Sequence, residues 1–270
     1  MTPLFGWKVA VASAAGPAHR VARLACQDRV DARLVPGPQG TSLIAIVSDG
    51  CGGADSGGEG ARIATAVLKQ LMTDHLKRGR TVARLKRSVV LRWIDRVVAA
   101  LKAGAAEDGF PTDEYACTLL GAIIGYDASA FFQIGDGAIV VGEGASWSPV
   151  FWPQHHEYVN STNFVTDKNA VTALDFEVRA GRVHEVALFT DGLEQLLLVP
   201  ESRSVHQPFF EQVFSPVRDS VEDGFDLHLS QMLATYLEKP LVSSRTTDDT
   251  TLILATRARE ELHVADTAVR

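Results

Sequence analysis

The amino-acid sequence predicts a mixed α/β domain of the α+β type, in which antiparallel β-sheets are covered by helices. Short strand-like runs are grouped instead of alternating strictly with helices, and two long amphipathic patterns separate an N-terminal strand pair from a central meander. The chain has 270 residues, of which 46% are hydrophobic and 22% are charged. This composition is typical of a globular protein with a substantial core, and we expect a single domain spanning residues 1–270.

The first half of the chain predicts two strands followed by two helices. Trp7 to Ser13 and Thr41 to Ser48 contain the short apolar runs of buried strands. Apolar residues at spacings of three and four predict a helix from Glu59 to Lys77 and a second from Val82 to Leu101. Gly104 is the predicted stop of the second helix.

The second half predicts a β-meander and then further helices. Its strand-like runs, separated by Gly, Asp or Ser, are Ala116–Gly125, Ala130–Ile134, Ala138–Gly142, Trp147–Trp152, Val171–Val178 and Val183–Thr190. Helical patterns follow at Gly192–Leu198, Phe209–Phe214 and Asp226–Leu237, before a last strand at Thr251–Thr256. The polar stretch Pro153 to Asn169 predicts a loop, and the adjacent His155-His156 is interpreted as part of it and not as a metal-binding pair.

Charge and cysteine usage exclude several classes of function. The chain carries 26 Lys and Arg against 33 Asp and Glu, a net charge of −7, which disfavours a nucleic-acid or anionic-membrane binder. No apolar run approaches the roughly 18 residues of a membrane span, and Met1 to Lys8 lacks the pattern of an export signal. Cys26, Cys51 and Cys117 form neither a disulfide framework nor a zinc pair. We expect a soluble, cytoplasmic protein.

Acidic residues follow several of the predicted strands. Asp49, Asp136 and Asp191 each come after an apolar run and a small residue, each precedes Gly, and Asp248-Asp249 opens the last strand. Asp-Gly is also the commonest hairpin signal, so each occurrence taken alone predicts only a turn. Brought together, such carboxylates repel one another unless a cation neutralises them, and all-oxygen donors favour Mg²⁺ or Mn²⁺ over zinc.

Six short motifs occur in a defined order across residues 10 to 255. They are Arg23-Leu-Ala-Cys-Gln-Asp28, Val47-Ser-Asp49-Gly50-Cys51-Gly52-Gly53, Cys117-Thr118-Leu119, Ile134-Gly-Asp136, Leu188-Phe-Thr-Asp191-Gly192 and Asp248-Asp249-Thr250-Thr251. Together they resemble the motifs of the metal-dependent protein phosphatase 2C family in its bacterial form. The resemblance implies a four-layer αββα sandwich of two antiparallel sheets flanked by helices. It also implies a serine/threonine phosphoprotein phosphatase that hydrolyses phosphomonoesters by attack of a metal-bridging water or hydroxide.

The same resemblance implies roles for individual residues. The implied ligands of two Mg²⁺ or Mn²⁺ ions, and of a third, weaker one, are oxygen donors: Asp49, the Gly50 carbonyl, Asp191, Asp248, Asp136 and, through water, Asp28. Asp49 bridges the two main ions, and Asp136 with Asp191 holds the third. Arg23 is the implied phosphate-holding residue, because a planar guanidinium can bind two phosphate oxygens. Asp49 and Arg23 are therefore the expected catalytic residues.

Two departures from the family pattern leave alternatives open. Cys51 stands where eukaryotic members often have a histidine that protonates the leaving group, so the acid is either His19 or metal-bound water. Asp249 stands where the family frequently has asparagine, so Asp249 either supplements or replaces Asp248 as the terminal ligand, or Asp248 serves alone, which alignment favours. A phosphatase-like binding module without turnover and a small-molecule metal phosphoesterase are the competing functions.

The expected partner is a phosphorylated protein, including a serine/threonine kinase of the same cell, and the expected oligomeric state is a monomer. No nucleic-acid or membrane partner is expected, given the net charge and the absence of a long apolar run. We expect substrate specificity to depend on surface loops such as Pro153 to Asn169.

Overall fold

Two β-sheets pack face to face in the computed structural model, which describes residues 6–51, 56–154 and 162–258. The strands are β1 (Trp7–Ala14), β2 (Arg29–Gly37), β3 (Gly40–Ser48), β4 (Leu119–Ile124), β5 (Ala128–Ile134), β6 (Ala138–Glu143), β7 (Ser146–Pro149), β8 (Asp175–Ala180), β9 (Glu185–Phe189), β10 (Leu198–Val199), β11 (Ser204–Val205), β12 (Gly224–Phe225) and β13 (Thr250–Arg257). One sheet has the order β12-β1-β13-β9-β6-β7 and the other β2-β3-β4-β5-β8. A separate ribbon pairs β10 with β11.

Helices cover the outer face of each sheet. The helices of the described residues are α1 (Pro17–Ala22), α2 (Gly57–Lys77), α3 (Arg87–Asp108), α4 (Ala170–Ala173), α5 (Glu194–Leu197), α6 (Gln207–Asp219), α7 (Leu227–Leu237) and α8 (Pro240–Ser243). The helices α2 and α3 pack on the five-stranded sheet, and α6 and α7 pack on the six-stranded sheet. The layers therefore run helix, sheet, sheet, helix, which is the predicted αββα sandwich.

The molecule has three apolar cores, one between the two sheets and one between each sheet and its helices, because side chains alternate between the two faces of the central strands. In β3, Leu43 and Val47 face the other sheet, whereas Ile44 and Ile46 face α2 and α3. Successive side chains of a strand point to opposite faces, so a strand covered on both sides must be apolar throughout. The continuous apolar run predicted as a buried strand at Thr41 to Ser48 is such a strand.

The end of the second long helix differs from the prediction. The helix α3 begins at Arg87, after a short 3₁₀ turn at Val82–Arg84, and it continues through Gly104 to Asp108. It ends at Gly109, which has φ +77° and supplies the left-handed C-cap. The prediction that Gly104 stops the helix was wrong, because Gly104 serves packing: a Cβ there would lie 2.7 Å from Ile63 Cδ1 of α2.

Other elements begin or end a few residues away from their predicted bounds, and some elements were not predicted. The strand predicted at Val171–Val178 begins later than expected: residues 171–173 belong to the helix α4, and β8 begins at Asp175. The predicted strand at Trp147 to Trp152 is shorter, since β7 ends at Pro149. The strand β2 and the helices α1 and α8 had no prediction. Between residues 162 and 169 the structure has neither helix nor strand, in agreement with the predicted loop.

Some sequence predictions concern residues outside the described ranges. These are Gly52 and Gly53 of the second motif, the pair His155-His156, and the first residues of the chain. Within the ranges that the structure describes, no helix is long and apolar enough to cross a membrane.

Candidate active site

Asp49 follows β3 directly, where the chain leaves the five-stranded sheet. Its backbone N–H donates a hydrogen bond to Thr118 Oγ1 at 2.9 Å, and the Thr118 N–H donates to the Asp49 carbonyl at 2.9 Å. The Ser48 hydroxyl donates to the Thr118 carbonyl at 2.5 Å. Gly50, whose carbonyl the resemblance implies as a ligand, pairs with Cys117 in a β-bridge. The backbone that carries Asp49 is therefore fixed on the segment leading into β4.

Asp136 and Asp191 reach the same place from the two sheets. Asp136 follows β5 and leads into β6, and Asp191 follows β9 and opens a 3₁₀ turn. Because β6 pairs with β9, with Ala138 opposite Phe189, these two acids lie at one end of the sandwich. One carboxylate oxygen of each of Asp49, Asp136 and Asp191 lies within 4.8 Å of the corresponding oxygens of the other two. The structure thus brings three of the predicted metal ligands together.

Asp28 lies beneath this cluster and is almost fully buried, with 2% of its surface exposed. Its Oδ2 accepts a hydrogen bond from the Thr190 hydroxyl at 2.7 Å, and Thr190 Oγ1 accepts one from the Thr251 N–H at 3.1 Å. The Oδ1 atoms of Asp28 and Asp191 are buried and have no hydrogen-bond partner among the described residues. Buried carboxylate oxygens without a donor fit a site for a hard divalent cation.

Burial and mutual repulsion raise the pKa values of these carboxyl groups. Burial is the main cause for Asp49, whose pKa lies well above its ordinary value because the charges of Asp28, Asp191 and Asp248 add to the effect. The pKa of Asp191 rises to about 8, through burial first and then through the charges of Asp136, Asp248 and Asp28. The pKa of Asp28 rises to about 7, again mainly through burial. The metal-free cluster therefore holds protons near neutral pH, and a cation must displace them.

The two adjacent acids of the last motif are used differently. Asp248 is exposed and lines the same cleft as Asp49, Asp136 and Asp191. Asp249 is 1% exposed, and its carboxylate accepts hydrogen bonds from the segment between Gly16 and Gln27. With its oxygens occupied in this way, Asp249 is a poor candidate for a metal ligand, which supports the choice of Asp248.

The cleft that contains the acids has a volume of about 860 Å³. One wall is formed by residues 243–248, between α8 and β13, and Thr162, Phe164 and Gln195 also line it. Arg245 in this wall is exposed, and it is the only cationic side chain among the described lining residues. The cleft therefore contains both carboxylate oxygens that can bind a cation and one guanidinium that can bind an anion.

Arg23 lies outside this lining. It is exposed, it follows α1 with a left-handed backbone (φ 58°), and its N–H donates to the Arg20 carbonyl at 3.2 Å. His19, on α1, is likewise not among the lining residues, and its Nδ1 donates to Asp249 at 2.8 Å. The structure thus gathers Asp28, Asp49, Asp136, Asp191 and Asp248 but does not place Arg23 among the residues that line the cleft.

A comparison with known proteins identifies the family. The model of the family described as protein phosphatase 2C matches residues 15–238. The chain is also 36% identical, over 252 residues, to serine/threonine-protein phosphatase 3 of Escherichia coli (strain K12), an alignment that covers 92% of this chain and 98% of that protein. The chain belongs to the protein phosphatase 2C family.

Solved structures show the same fold at low sequence identity. The catalytic domain of the serine threonine protein phosphatase PstP, in complex with two manganese ions, has a TM-score of 0.61 at 16% identity, and the match covers 94% of this chain and 100% of that one. The serine/threonine phosphatase Stp1 of Staphylococcus aureus has a TM-score of 0.60 at 15% identity, with 93% and 94% covered. The αββα architecture is therefore that of bacterial phosphatase 2C structures.

This member of the phosphatase 2C family has no activated thiolate among Cys26 and Cys117. Burial raises the pKa of the Cys117 thiol to about 12, and burial together with the charges of Asp28 and Asp249 raises that of Cys26 still further. Cys51 lines the cleft, where eukaryotic members of the family often have a histidine. All three cysteines are free. The raised pKa values keep the thiols of Cys26 and Cys117 protonated, which disfavours either as a nucleophile.

Two features of the site were not predicted from the sequence of this phosphatase 2C member. Arg245 stands only three residues before Asp248, and that spacing was the available signal. The contacts of Asp249 with Gly16, His19 and Gln27 join residues more than 220 positions apart, and no local pattern indicates them.

Proposed function

We propose that the chain is a metal-dependent serine/threonine phosphoprotein phosphatase, folded as a single catalytic domain. The observation that carries the proposal is the convergence of Asp49, Asp136 and Asp191, whose carboxylate oxygens come within 4.8 Å from three separate strand ends. Such a cluster is unfavourable without a cation, as the raised pKa values of Asp49 and Asp191 show. Membership of the phosphatase 2C family supports the same chemistry.

The proposed ligands are all oxygen donors, which suits Mg²⁺ or Mn²⁺: Asp49, Asp136, Asp191 and Asp248, with the Gly50 carbonyl and, through water, Asp28. When bound, such ions supply positive charge for the phosphoryl oxygens and lower the pKa of water to near neutrality. The chain's own contribution is positioning. Thr118 fixes the backbone of Asp49, and Thr190 fixes Asp28, so both carboxylates are held before substrate enters.

Two arginines are available for the phosphoryl group of the substrate. Arg23 is the residue implied by the family resemblance, and Arg245 is the cation that lines the cleft. Both side chains are exposed, so each guanidinium is accessible to phosphate oxygens. We assign phosphate binding to Arg23 and Arg245 together.

The proposal includes phosphorylated proteins as substrates, a serine/threonine kinase among them, for a monomeric enzyme of the cytoplasm. Its support is indirect. The relative from Escherichia coli is named a serine/threonine-protein phosphatase, and Cys26, Cys51 and Cys117 are all unpaired, as is usual in a reducing compartment.

Hydrolysis of p-nitrophenyl phosphate and of a phosphothreonine peptide, measured with Mn²⁺ and then with EDTA, tests the proposal. We expect activity to require Mn²⁺ and to fall about 100-fold or more in Asp49→Asn. Asp95→Asn, an exposed acid on α3, is the matched control and retains wild-type activity. Activity that survives EDTA contradicts the mechanism, and Mn²⁺ binding without turnover indicates a binding module. Higher kcat/KM for a panel of phosphometabolites than for phosphopeptides indicates a small-molecule phosphoesterase.

A further inference from the structure

The segment from Gly16 to Gln27 has little apolar packing to hold it in place. Its helix α1 has six residues and none of them is buried. Val21 and Leu24 are 88% and 53% exposed. A segment without buried side chains depends on polar contacts for its position. This segment carries Arg23 and leads directly into Asp28, so its position matters to the site.

One carboxylate makes the polar contacts that span this segment. Asp249 Oδ1 accepts hydrogen bonds from the Gly16 N–H at 2.7 Å and from His19 Nδ1 at 2.8 Å, and Oδ2 accepts one from the Gln27 N–H at 2.5 Å. The three donors come from the start, the helix and the end of the segment. Because Asp249 is 1% exposed, water competes little for these hydrogen bonds.

The start of the segment also packs directly on the chain around Asp249. A Cβ on Gly16 would lie 2.1 Å from the Asp248 carbonyl oxygen and 2.7 Å from the Asp249 nitrogen, so only glycine fits there. The Ala18 N–H donates to the Thr247 carbonyl at 3.0 Å. The segment is thus joined to the beginning of β13, immediately beside the proposed ligand Asp248.

We propose that Asp249 is a positioning residue, which holds the Gly16–Gln27 segment, and with it Arg23, in a fixed position on the beginning of β13. The proposal rests on the proposed function, because Arg23 is given its phosphate-binding role there. Asp249 acts through this segment and is not a metal ligand.

The three donors explain why the position is aspartate in this chain, where the family frequently has asparagine. A carboxylate offers two acceptor oxygens, and both are used. An asparagine amide offers one oxygen, so in either orientation its NH₂ group would face the Gln27 N–H or the N–H groups of Gly16 and His19. The neighbouring contact to Asp248 survives such a change, because it is donated by the Asp249 backbone N–H to Asp248 Oδ1 at 2.8 Å.

The test compares Asp249→Asn with His19→Ala and with Arg23→Ala in the full-length protein. We expect Asp249→Asn to lower kcat/KM for p-nitrophenyl phosphate about tenfold, mainly through KM, and to weaken competitive inhibition by inorganic phosphate to the same extent. His19→Ala removes one of the three hydrogen bonds, and we expect a smaller effect in the same direction. Mn²⁺ affinity, titrated with the metal alone, stays within about twofold of wild type.

A double-mutant cycle separates positioning from a general loss of structure. If Asp249 acts through Arg23, then Asp249→Asn adds little to the loss already caused by Arg23→Ala. Full additivity of the two losses, or a loss of Mn²⁺ binding in Asp249→Asn, would overturn the proposal.

Trypsin cleavage after Arg20 and Arg23 gives a readout that does not need activity. We expect Asp249→Asn to speed cleavage in this segment about tenfold, with unchanged cleavage elsewhere in the folded protein. Unchanged cleavage at both arginines would overturn the proposal. If the wild type shows no Mn²⁺-dependent hydrolysis, the proposed function fails, whereas the trypsin result still decides whether Asp249 holds the segment.

Discussion

Neutralising one acid of the cluster should stabilise the metal-free protein while abolishing its activity. In Asp49→Asn the side chain keeps its shape and loses its charge. Because Asp49 is buried beside Asp28, Asp136 and Asp191, each charge on a neighbour destabilises the wild-type site. The same substitution removes the proposed bridging ligand, so stability and activity are expected to change in opposite directions.

The distances in the cluster set the size of the effect. Ionising two carboxyls 4.8 Å apart costs about 3 kcal/mol at an effective dielectric constant of about 20, and the folded metal-free protein carries this cost either as repulsion or as the uptake of a proton. The pKa values of Asp28 and Asp191, about 7 and about 8, mean that at pH 8 Asp28 is mostly charged and Asp191 about half charged, whereas both are largely neutral at pH 5. We therefore expect Asp49→Asn to raise the free energy of unfolding by about 3 kcal/mol at pH 8, or roughly 6–10 °C in Tm, and by under about 1 kcal/mol at pH 5.

The sign of the pH dependence follows from the raised pKa values. Between about pH 4 and pH 8 the folded metal-free protein binds more protons than the unfolded chain, because Asp28 and Asp191 hold protons that exposed carboxyls have lost. The stability of the wild type should then fall as the pH rises through this interval. Thermal unfolding in EDTA at several pH values measures it, with Asp95→Asn as the control for the loss of one acid. The same change in the free energy of unfolding of Asp49→Asn at pH 5 and pH 8, or a lower stability than wild type at pH 8, would contradict this expectation.

Three further expectations concern metal and substrate. Mn²⁺ binding at pH 7 should release protons, and its affinity should rise between pH 6 and pH 8; calorimetry in buffers of different ionisation enthalpy measures both, and binding without proton release would contradict the raised pKa values. Arg23→Ala and Arg245→Ala should each raise KM for p-nitrophenyl phosphate about tenfold with Mn²⁺ affinity unchanged, whereas an unaltered KM would remove that arginine from the site. Thr118→Val removes the acceptor of the Asp49 N–H, so we expect Mn²⁺ affinity to fall about tenfold in the same titration; wild-type affinity would show that this contact does not position Asp49.

The sequence predicted the layered fold because periodicity is a local property. The apolar run of β3 and the three- and four-residue spacing along α2 each report their own burial, and both elements lie close to their predicted bounds. The prediction that α3 ends at Gly104 was wrong for a physical reason. A glycine can end a helix or can allow a close contact, and only the position of Ile63 on α2 shows which applies.

The elements without a prediction are those whose sequence pattern is weak. The strand β2 contains charged and partly exposed residues, such as Asp31 and Arg33, because it lies at the edge of its sheet. The helix α1 has six residues and buries none of them. Elements of this kind are held by neighbours distant in sequence, so periodicity gives no signal for them.

For the site, the sequence predicted which acids matter but not how each is used. The motif order indicated Asp49, Asp136 and Asp191, which the structure brings together. The different surroundings of Asp248 and Asp249 depend on contacts with residues 16–27, which no spacing along the chain reveals.

Anomalous diffraction at the manganese absorption edge, from crystals grown with Mn²⁺, locates such ions directly. We expect peaks within ligand distance of Asp49 and Asp191 in the wild type, and loss of the peak at Asp49 in crystals of Asp49→Asn. Manganese peaks remote from these carboxylates, in a protein whose phosphatase activity requires Mn²⁺, would contradict the proposed metal site.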